Sequence, residues 1–399
     1  MPMPFRMRTA VIIVLAAVLN AAEPQLDPAR LKLIPQRMQE FVDRGEISGI
    51  VTLVGRNHQI AALDAVGYAD IENRKPMRTD TIVQIMSQTK TVTGVAAMIL
   101  VDEGKLDLTR PVEEYLPEFK GIQVAEKKPD GSVSVHRPQH PPTVWELMCH
   151  ASGLAFLPER GEFARINYTM DHTLAEAVRA YASEKLVAEP GTKHLYSNMG
   201  IATLGRIVEV LSKQKYEDFV QSRILGPLGM SDSFFFPPES KKSRIAMLYM
   251  PDANGKLTLA REKAQGGDAA LYRAGARYPG PELAMFSTAA DLYRFYQMLG
   301  NKGVYGAKRI LSAQAVDAMA HDYTPDHRGY GLTVSVAEGL RPMLNLVNPG
   351  TFGHGGAFGT SGTIDPKNGL VTVFLPQMLG GPTKLALDLF TQLAGSSVR

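Results

Sequence analysis

Residues 82–101 of the chain, IVQIMSQTKTVTGVAAMILV, decide its fold. The run Ile82–Ile85 has strand character, and the residues from Thr91 to Val101 are apolar on nearly every side. A helix of that kind is buried in a protein core. Gly104 lies where helix C-termini favour glycine, which ends the predicted helix. The stretch therefore predicts a short strand that leads into a buried central helix, with polar residues at the junction.

Segments of strand character lie on both sides of this helix. Ile50–Val54 and Ile60–Val66 are joined by a short polar turn, which predicts an antiparallel hairpin. Strand character returns at residues 332–336, 362–365 and 371–375, followed by a predicted helix over residues 383–394. Strands at both ends of a helical middle are typical of one sheet built from both parts of the chain.

The middle of the chain carries repeated helix signals. Thr143-Val-Trp-Glu146 and Thr173-Leu-Ala-Glu176 both fit the capping box, in which two side chains cap each other's backbone N–H groups. We therefore predict an α+β fold, with an antiparallel sheet from both chain ends flanked by helices and an inserted, mostly helical lobe. The expected boundaries are about 23–86 and 290–399 for the sheet lobe and about 87–289 for the helical lobe, within one domain over residues 23–399.

The composition is that of a globular protein, since 45% of the 399 residues are apolar and 21% are charged. These values exclude a disordered chain, a collagen and a coiled coil. The net charge of +3 is too weak to indicate nucleic acid or an anionic membrane as a partner. Cys149 is the only cysteine, which excludes an internal disulfide and a multi-cysteine metal site, and we expect it to be a packed residue.

The first 22 residues have the pattern of a targeting segment. Arg6 and Arg8 form a basic start, a short apolar run covers residues 10–19, and the small residues Ala21 and Ala22 follow it. This order is that of a secretory signal peptide, and the apolar run is shorter than the roughly 20 residues of a membrane-spanning helix. We expect cleavage near Ala21 or Ala22 and, in a bacterial host, a periplasmic or secreted protein without an integral membrane span. An uncleaved anchor is the alternative.

Ser87-Gln-Thr-Lys90 is the first candidate for catalysis, because G-x-S-x-G, H-E-x-x-H, P-loop and G-x-G-x-x-G motifs are all absent. Free N–H groups at the start of the predicted helix stabilise negative charge, and Lys90 lies one turn beyond Ser87 on the same face. Burial lowers the pKa of a lysine, so an uncharged Lys90 could activate the hydroxyl of Ser87. The alternative is that Ser87 only caps the helix and Lys90 extends to solvent. A second S-x-x-K, Ser212–Lys215, is interpreted in that second way.

Two further segments are candidates for the same site. Tyr196-Ser-Asn198 lies between a turn and a predicted helix start, where a phenol can relay a proton and an amide can donate and accept hydrogen bonds. Gly353-His-Gly-Gly-Ala357 would let a ligand approach a strand edge, and an N–H there could complete an oxyanion hole with that of Ser87. The alternatives are a buried tyrosine followed by a capping asparagine, and a plain glycine-rich turn.

Taken in this order, Ser87-Gln-Thr-Lys90, Tyr196-Ser-Asn198 and His354-Gly-Gly356 resemble the motifs of the penicillin-binding and serine β-lactamase superfamily. Those motifs are S-x-x-K, Y-x-N and K-T-G or H-x-G. The most similar branch contains class C β-lactamases, D-alanyl-D-alanine carboxypeptidases and β-lactamase-like esterases. Leu147–Leu154 resembles the L-x-x-H-x-S-G-L segment of that family, in which His150 is expected to be structural. The resemblance covers roughly residues 30–377.

The resemblance implies a β-lactamase/transpeptidase-like fold and catalysis through an acyl-serine. Ser87 would be the nucleophile, while Lys90 and Tyr196 would share the general-base work and then protonate the leaving group. The N–H groups of Ser87 and Ala357 would bind the oxyanion. The residues implied in substrate binding are Asn198, His354, Gly355, Gly356 and Ala357. No metal or organic cofactor is implied.

The third motif departs from the β-lactamase pattern. His354 replaces a charged lysine, and a histidine is mostly neutral at pH 7. Gly355 replaces a threonine and lacks its hydroxyl. Recognition of an anionic penicillin or D-Ala-D-Ala terminus should be weaker, which favours a small ester, amide or peptide substrate over efficient β-lactam hydrolysis. The alternatives are a β-lactamase or carboxypeptidase, an acyltransferase on the same site, and an inactive penicillin-binding-like scaffold. The sequence does not specify the oligomeric state.

Overall fold

The computed structural model describes residues 25–127, 130–158, 170–260 and 275–399, so the predicted signal segment lies outside the described residues. The described strands, in chain order, are β1 (Gly49–Arg56), β2 (Gln59–Asp70), β3 (Lys75–Pro76), β4 (Val83–Gln84), β5 (Val124–Lys127), β6 (Val133–His136), β7 (Tyr249–Pro251), β8 (Leu257–Leu259), β9 (Phe286–Ser287), β10 (Val304–Tyr305), β11 (Lys308–Arg309), β12 (Ser335–Val336), β13 (Phe352–Gly355), β14 (Ser361–Asp365) and β15 (Leu370–Pro376).

A seven-stranded antiparallel sheet is the framework of the fold. Its strand order is β12-β13-β14-β15-β1-β2-β3, so the early and late parts of the chain meet where β1 pairs with β15. These two central strands are apolar at consecutive positions because both faces of the sheet are covered. The β1–β2 hairpin turns at Asn57 and His58, which both have positive φ (48° and 63°), as type I′ turns require.

The described helices, in chain order, are α1 (Pro28–Leu31), α2 (Leu33–Asp43), α3 (Thr89–Asp102), α4 (Val112–Tyr115), α5 (Val144–Met148), α6 (Leu174–Tyr181), α7 (Asn198–Ser212), α8 (Tyr216–Val220), α9 (Gly226–Leu228), α10 (Glu239–Lys242), α11 (Ala289–Gly300), α12 (Ala313–Met319), α13 (Leu340–Leu344) and α14 (Thr383–Ser396). In addition, 3₁₀ turns cover Met86–Gln88 and Pro117–Phe119, and Gln221–Leu225 is π-helical.

Helices pack on both faces of the sheet. On one face, α2 and α14 cover an apolar cluster that includes Ile34, Met38, Phe374 and Phe390. On the other face, α11 packs against β1, β14 and β15. The central helix α3 is buried along Thr89–Leu100 and contacts both β13 and α7, so it joins the sheet to the inserted helices. In the described part of the chain, no helix is both long and apolar enough to cross a membrane.

The predicted fold class is confirmed, and so are the β1–β2 hairpin and both capping boxes. Two segments close to the predicted site differ from the prediction, and several short strands elsewhere, among them β5 and β6, were not predicted. The strand expected at 332–336 is reduced to β12, because Thr333 has a positive φ of 65° and interrupts extended backbone. The glycine-rich segment that contains His354 forms strand β13, because pairing with β12 and β14 outweighs its low strand propensity.

Candidate active site

Ser87 lies in the 3₁₀ turn Met86–Gln88, between β4 and α3. The strand before it is held by pairing with β9, and Met86 has a positive φ of 50°, which is uncommon for a residue other than glycine. This turn directs the chain from strand to helix and places Ser87 on the wall of a cavity. Backbone strain of this kind is concentrated at functional sites, where the surrounding structure holds it in place.

Lys90 is fully buried one turn beyond Ser87. Its Nζ lies 3.1 Å from Oγ of Ser87, 2.8 Å from Oδ1 of Asn198 and 2.7 Å from the backbone oxygen of Glu282. Burial lowers the pKa of Lys90 to about 7, although the carboxylate of Glu282 acts in the opposite direction. The amide oxygen and the carbonyl oxygen only accept, so they direct two lysine hydrogens away from Ser87.

Tyr196 closes the other side of this pair. The centre of its ring is 4.8 Å from Nζ of Lys90, and both Tyr196 and Ser87 line the same cavity. Burial raises the pKa of Tyr196 well above its usual value, and the nearby side chain of Ser87 only partly offsets this. Tyr196 is therefore an uncharged phenol near neutral pH. Ser197 caps α7, its Oγ accepting from the N–H of Gly200 at 2.9 Å, which leaves Asn198 to bind Lys90.

The third motif follows β13 into the same cavity. A Cβ atom on Gly356 would lie 2.3 Å from the carbonyl oxygen of Ile85, so only glycine permits this close contact with the backbone that leads to Ser87. Thr360 donates its hydroxyl to the same carbonyl at 2.9 Å. Within the described residues, no backbone carbonyl accepts from the N–H of Ser87 or of Ala357, and both residues line the cavity. Two such N–H groups on one cavity wall are what an oxyanion hole requires.

His354 is engaged by protein groups at both ring nitrogens. Its Nε2 lies 3.0 Å from the hydroxyl of Tyr330, and its Nδ1 lies 2.6 Å from the carbonyl oxygen of Gly355. Burial lowers the pKa of His354 to about 3, and the charge of Lys90 acts in the same direction. The sequence predicted a mostly neutral side chain here from the ordinary properties of histidine. The buried site holds it neutral far more firmly, so the position carries no cation.

One cavity of about 540 Å³ collects the predicted residues, a volume within the usual range for small-molecule sites. The predicted residues that line it are Ser87, Tyr196, Asn198, His354, Gly355, Gly356 and Ala357. Lys90 does not reach the cavity surface and lies behind Ser87, in contact with it.

Part of the cavity wall consists of residues that were not predicted from the sequence. The residues concerned are Met86, Phe156, Leu283, Gly359, Thr360, Gly380, Thr383, Lys384 and Leu387. The last three belong to α14, whose apolar spacing predicted a helix but not its position at the site. Only the tertiary packing of α14 against the sheet brings it beside β13, so no local signal identifies these residues.

Two other predictions concern residues away from the site. Ser212 ends α7, and Lys213 and Lys215 are exposed, so the second S-x-x-K lies at a polar surface. Cys149 is buried, and burial raises the pKa of its thiol to about 12, which keeps it protonated. The structure thus places Ser87, and not these residues, beside a buried amine.

Comparison with known proteins agrees with this arrangement. The family model described as Beta-lactamase matches residues 34–394. Penicillin-binding protein 4 of Amycolatopsis lactamdurans is 31% identical over 79% of this chain and 77% of its own length. Esterase EstB of Burkholderia gladioli is 27% identical over 93% of this chain and 98% of its own length.

Among solved structures, that of EstCE1, described as a hydrolase with promiscuous acyltransferase activity, superposes with a TM-score of 0.78. It is 25% identical to this chain, of which it covers 92%, and 99% of EstCE1 is matched. Sequence motifs, fold and site geometry therefore agree with the family match over nearly the whole chain, and this protein belongs to the β-lactamase family, whose serine hydrolases include esterases, penicillin-binding proteins and carboxypeptidases.

Proposed function

We propose that this protein is an exported serine hydrolase that cleaves small uncharged esters or amides through an acyl-Ser87 intermediate. One observation carries the proposal. The Nζ atom of Lys90 lies 3.1 Å from Oγ of Ser87, and burial lowers the pKa of that amine to about 7. A buried amine that loses its proton near neutral pH is suited to act as a general base for a serine hydroxyl.

In the proposed reaction, protons move between Ser87, Lys90, Tyr196 and the leaving group. The uncharged amine of Lys90 has two hydrogens, which Asn198 and the Glu282 carbonyl accept, so its lone pair faces Ser87. Oγ of Ser87 attacks the substrate carbonyl carbon as its proton passes to Lys90. The bond to the leaving oxygen or nitrogen then breaks while Tyr196 protonates it and takes a proton from Lys90. Water attacks the acyl-serine by the same route in reverse and releases the acid.

The preference for uncharged substrates rests on the third motif. His354 is neutral and both its ring nitrogens are engaged, so it attracts no substrate carboxylate. Lys384 also lines the cavity, but Asp388 partly neutralises it at 2.9 Å. The similarity to Esterase EstB supports an esterase-like activity, and the similarity to EstCE1 supports a hydrolase. The similarity to a penicillin-binding protein makes penicillins candidate acylating agents.

A fluorophosphonate label tests whether Ser87 is a nucleophile. We expect the wild-type protein to be labelled and Ser87→Ala to lose labelling while it stays folded. Ser212→Ala is the matched control, because Ser212 opens the second S-x-x-K at the polar surface and should label like wild type. Labelling that survives in Ser87→Ala, or an unlabelled wild-type protein, would reject an acyl-Ser87 enzyme in favour of an inactive scaffold.

A comparison of two substrate classes tests the proposed preference for uncharged esters over β-lactams. Specificity constants are compared for short-chain p-nitrophenyl esters and a chromogenic cephalosporin, and we expect the esters to have the larger value. A much higher value for the cephalosporin would show a β-lactamase instead. Export is tested separately, since a secreted or periplasmic product cleaved near Ala21 or Ala22 has an intact mass that identifies the new N-terminus.

Acyl transfer is the second candidate on the same site, because the structurally similar EstCE1 is described as having that activity. The acyl-Ser87 intermediate would then react with an alcohol or amine in place of water. Product analysis with and without an added alcohol distinguishes the two fates, since transfer yields a new ester and hydrolysis yields only the free acid.

A further inference from the structure

A chain of four hydrogen bonds, three of them buried and the last partly buried, runs behind Tyr196 and connects two of the three motifs. Its middle members, His150 and Tyr330, lie outside the machinery described above, and both are buried. The four links are Ser197 N to His150 Nδ1 at 3.1 Å, His150 Nε2 to Tyr330 Oη at 3.1 Å, Tyr330 Oη to His354 Nε2 at 3.0 Å, and His354 Nδ1 to Gly355 O at 2.6 Å.

Backbone groups at the two ends determine the direction of every link. The N–H of Ser197 can only donate, so Nδ1 of His150 carries no proton and its Nε2–H donates to Tyr330. At the other end, the carbonyl of Gly355 can only accept, so Nδ1 of His354 carries the proton and its Nε2 is bare. The single hydroxyl hydrogen of Tyr330 then goes to Nε2 of His354, which satisfies both ends.

This arrangement requires two neutral histidines in opposite tautomers. A proton added to His150 would face the N–H of Ser197, and one added to His354 would leave the Tyr330 hydroxyl hydrogen without its acceptor. The surroundings agree with neutrality, because burial and the charge of Lys90 lower the pKa of both imidazoles. His194, a third histidine that packs against His150 and Tyr330, binds the carbonyl oxygen of Cys149 instead.

Each end of the chain touches a part of the proposed catalytic site. The ring of His150 lies 4.3 Å from the ring of Tyr196, measured between centroids, and His150 also holds the next residue, Ser197. At the other end, His354 holds the carbonyl of Gly355, two residues before Ala357. The chain therefore spans from the phenol that faces Lys90 to the strand that leads to the second oxyanion N–H.

We infer that His150 and Tyr330 are positioning residues, which hold Tyr196 over Lys90 and fix its separation from strand β13, which leads to Ala357. This inference rests on the proposed function, because it assigns a purpose to the separation of two groups in that mechanism. Neither side chain lines the cavity, so both act through Tyr196 and β13 without contact to substrate. From the sequence, His150 was expected to be structural. The chain of hydrogen bonds gives this residue a more specific role.

The tautomers are measured first, on the wild-type protein with ¹⁵N-labelled histidine at pH 7. Signals are assigned with His150→Gln and His354→Gln, used only for this purpose. We expect His150 to carry its proton on Nε2 and His354 on Nδ1. Two imidazoles with the same tautomer, or either in the charged form, would overturn the inference. This readout needs no activity, so it is independent of whether the proposed hydrolysis is correct.

The second measurement is kinetic and uses Tyr330→Phe, which removes the central hydroxyl and keeps the ring. With the ester that the wild-type protein hydrolyses, we expect kcat to fall on the order of 10- to 100-fold, as misplacement of reacting groups by up to about 1 Å does, with KM within about threefold. Tyr323→Phe is the matched control, because this half-buried tyrosine of the same segment lies outside the chain, and it should behave like wild type.

The outcomes separate positioning from general packing. A Tyr330→Phe protein with wild-type kcat, or one whose KM rises as much as its kcat falls, would contradict the inference. A fall in kcat alone, together with a changed ¹⁵N signal for His354, supports it. Should Tyr330→Phe fail to fold, the wild-type tautomers still decide. A wild-type protein that hydrolyses no ester would refute the proposed function. The tautomer measurement would still test the hydrogen-bond chain, because it does not depend on activity.

Discussion

Lys90 combines a side chain that is charged in water with complete burial in the folded protein. In water its amine holds a proton up to a pH of about 10.5, and in this protein it is fully buried. Among the described residues, its hydrogen-bond partners are a hydroxyl, an amide oxygen and a backbone carbonyl, and none is a carboxylate. Burial of a charged amine is unfavourable, so the folded state favours the uncharged form. Burial of Lys90 therefore lowers the stability of the fold, and it also provides the uncharged amine that the proposed reaction needs as a base.

The activity should follow the ionisation of this amine. Since the pKa of Lys90 is lowered to about 7, we expect kcat/KM for an uncharged ester to fall about tenfold per pH unit below pH 7 and to level off above it. The measurement is a pH–rate profile between pH 5 and 9 with a substrate that does not titrate. Lys90→Ala should lose most turnover at every pH. Near-wild-type rates in that variant would show that another group is the base.

Stability should depend on the same proton in a defined direction. The unfolded lysine keeps its proton up to about pH 10.5, while the folded one loses it near pH 7, so unfolding takes up a proton between these values. The free energy of unfolding of the wild type, relative to Lys90→Met, should therefore increase with pH across that window, by up to about 1.4 kcal/mol per unit. Urea unfolding of both proteins at pH 7, 8 and 9 measures this difference. A constant difference would mean that Lys90 is not neutral when folded.

Individual residues differ in how far sequence predicts their state. Ser87, Lys90, Tyr196 and Asn198 were all predicted, because motif order and helix position bring them together. Lys90 hydrogen-bonds to Ser87 and Asn198, and the ring of Tyr196 lies beside its amine. Tyr330 carries no local signal. Its role depends on a segment near β12 that packs against His150, and such a long-range contact is absent from any short pattern in the chain.

The turn that follows β13 packs closely against the backbone that leads to Ser87. A methyl group on Gly356 would lie 2.3 Å from the Ile85 carbonyl oxygen, so backbone would have to move. We expect Gly356→Ala to reduce the free energy of unfolding by about 1–3 kcal/mol or more, as overpacking does. Gly355→Ala is the matched control, because its nearest neighbour would be an ordinary contact at 3.5 Å. Urea unfolding compares them, and equal stability of the two variants would exclude this steric explanation.

Helices were easier to predict from the sequence than strands. The two capping boxes and the apolar spacing of α3 are local features, and the structure contains each of them. Strand β13 is rich in glycine, and the sequence left both a strand edge and a plain turn open for this segment, because its extended form depends on hydrogen bonds from β12 and β14. Pairing partners lie at positions that local periodicity does not reveal.

In the molecule as a whole, α14 contributes to the cavity wall and also covers one face of the sheet. Phe390 of this helix is buried against Phe374, whereas Leu385 is 65% exposed. We expect Phe390→Ala to reduce the free energy of unfolding by about 3–5 kcal/mol, because it leaves a cavity between α14 and the sheet. Leu385→Ala, on the same helix, should change it by less than about 0.5 kcal/mol. Chemical denaturation tests both, and similar losses in the two variants would contradict this packing.

The contribution of α14 to the cavity wall also has a consequence for the timing of activity. Thr383, Lys384 and Leu387 complete a pocket whose nucleophile is almost three hundred residues earlier, and the central strand pair joins equally distant parts of the chain. A polypeptide still under synthesis therefore has no finished pocket until this late helix has emerged and docked. Cleavage of an ester by the proposed acyl-Ser87 route would therefore have to wait until this segment has left the ribosome.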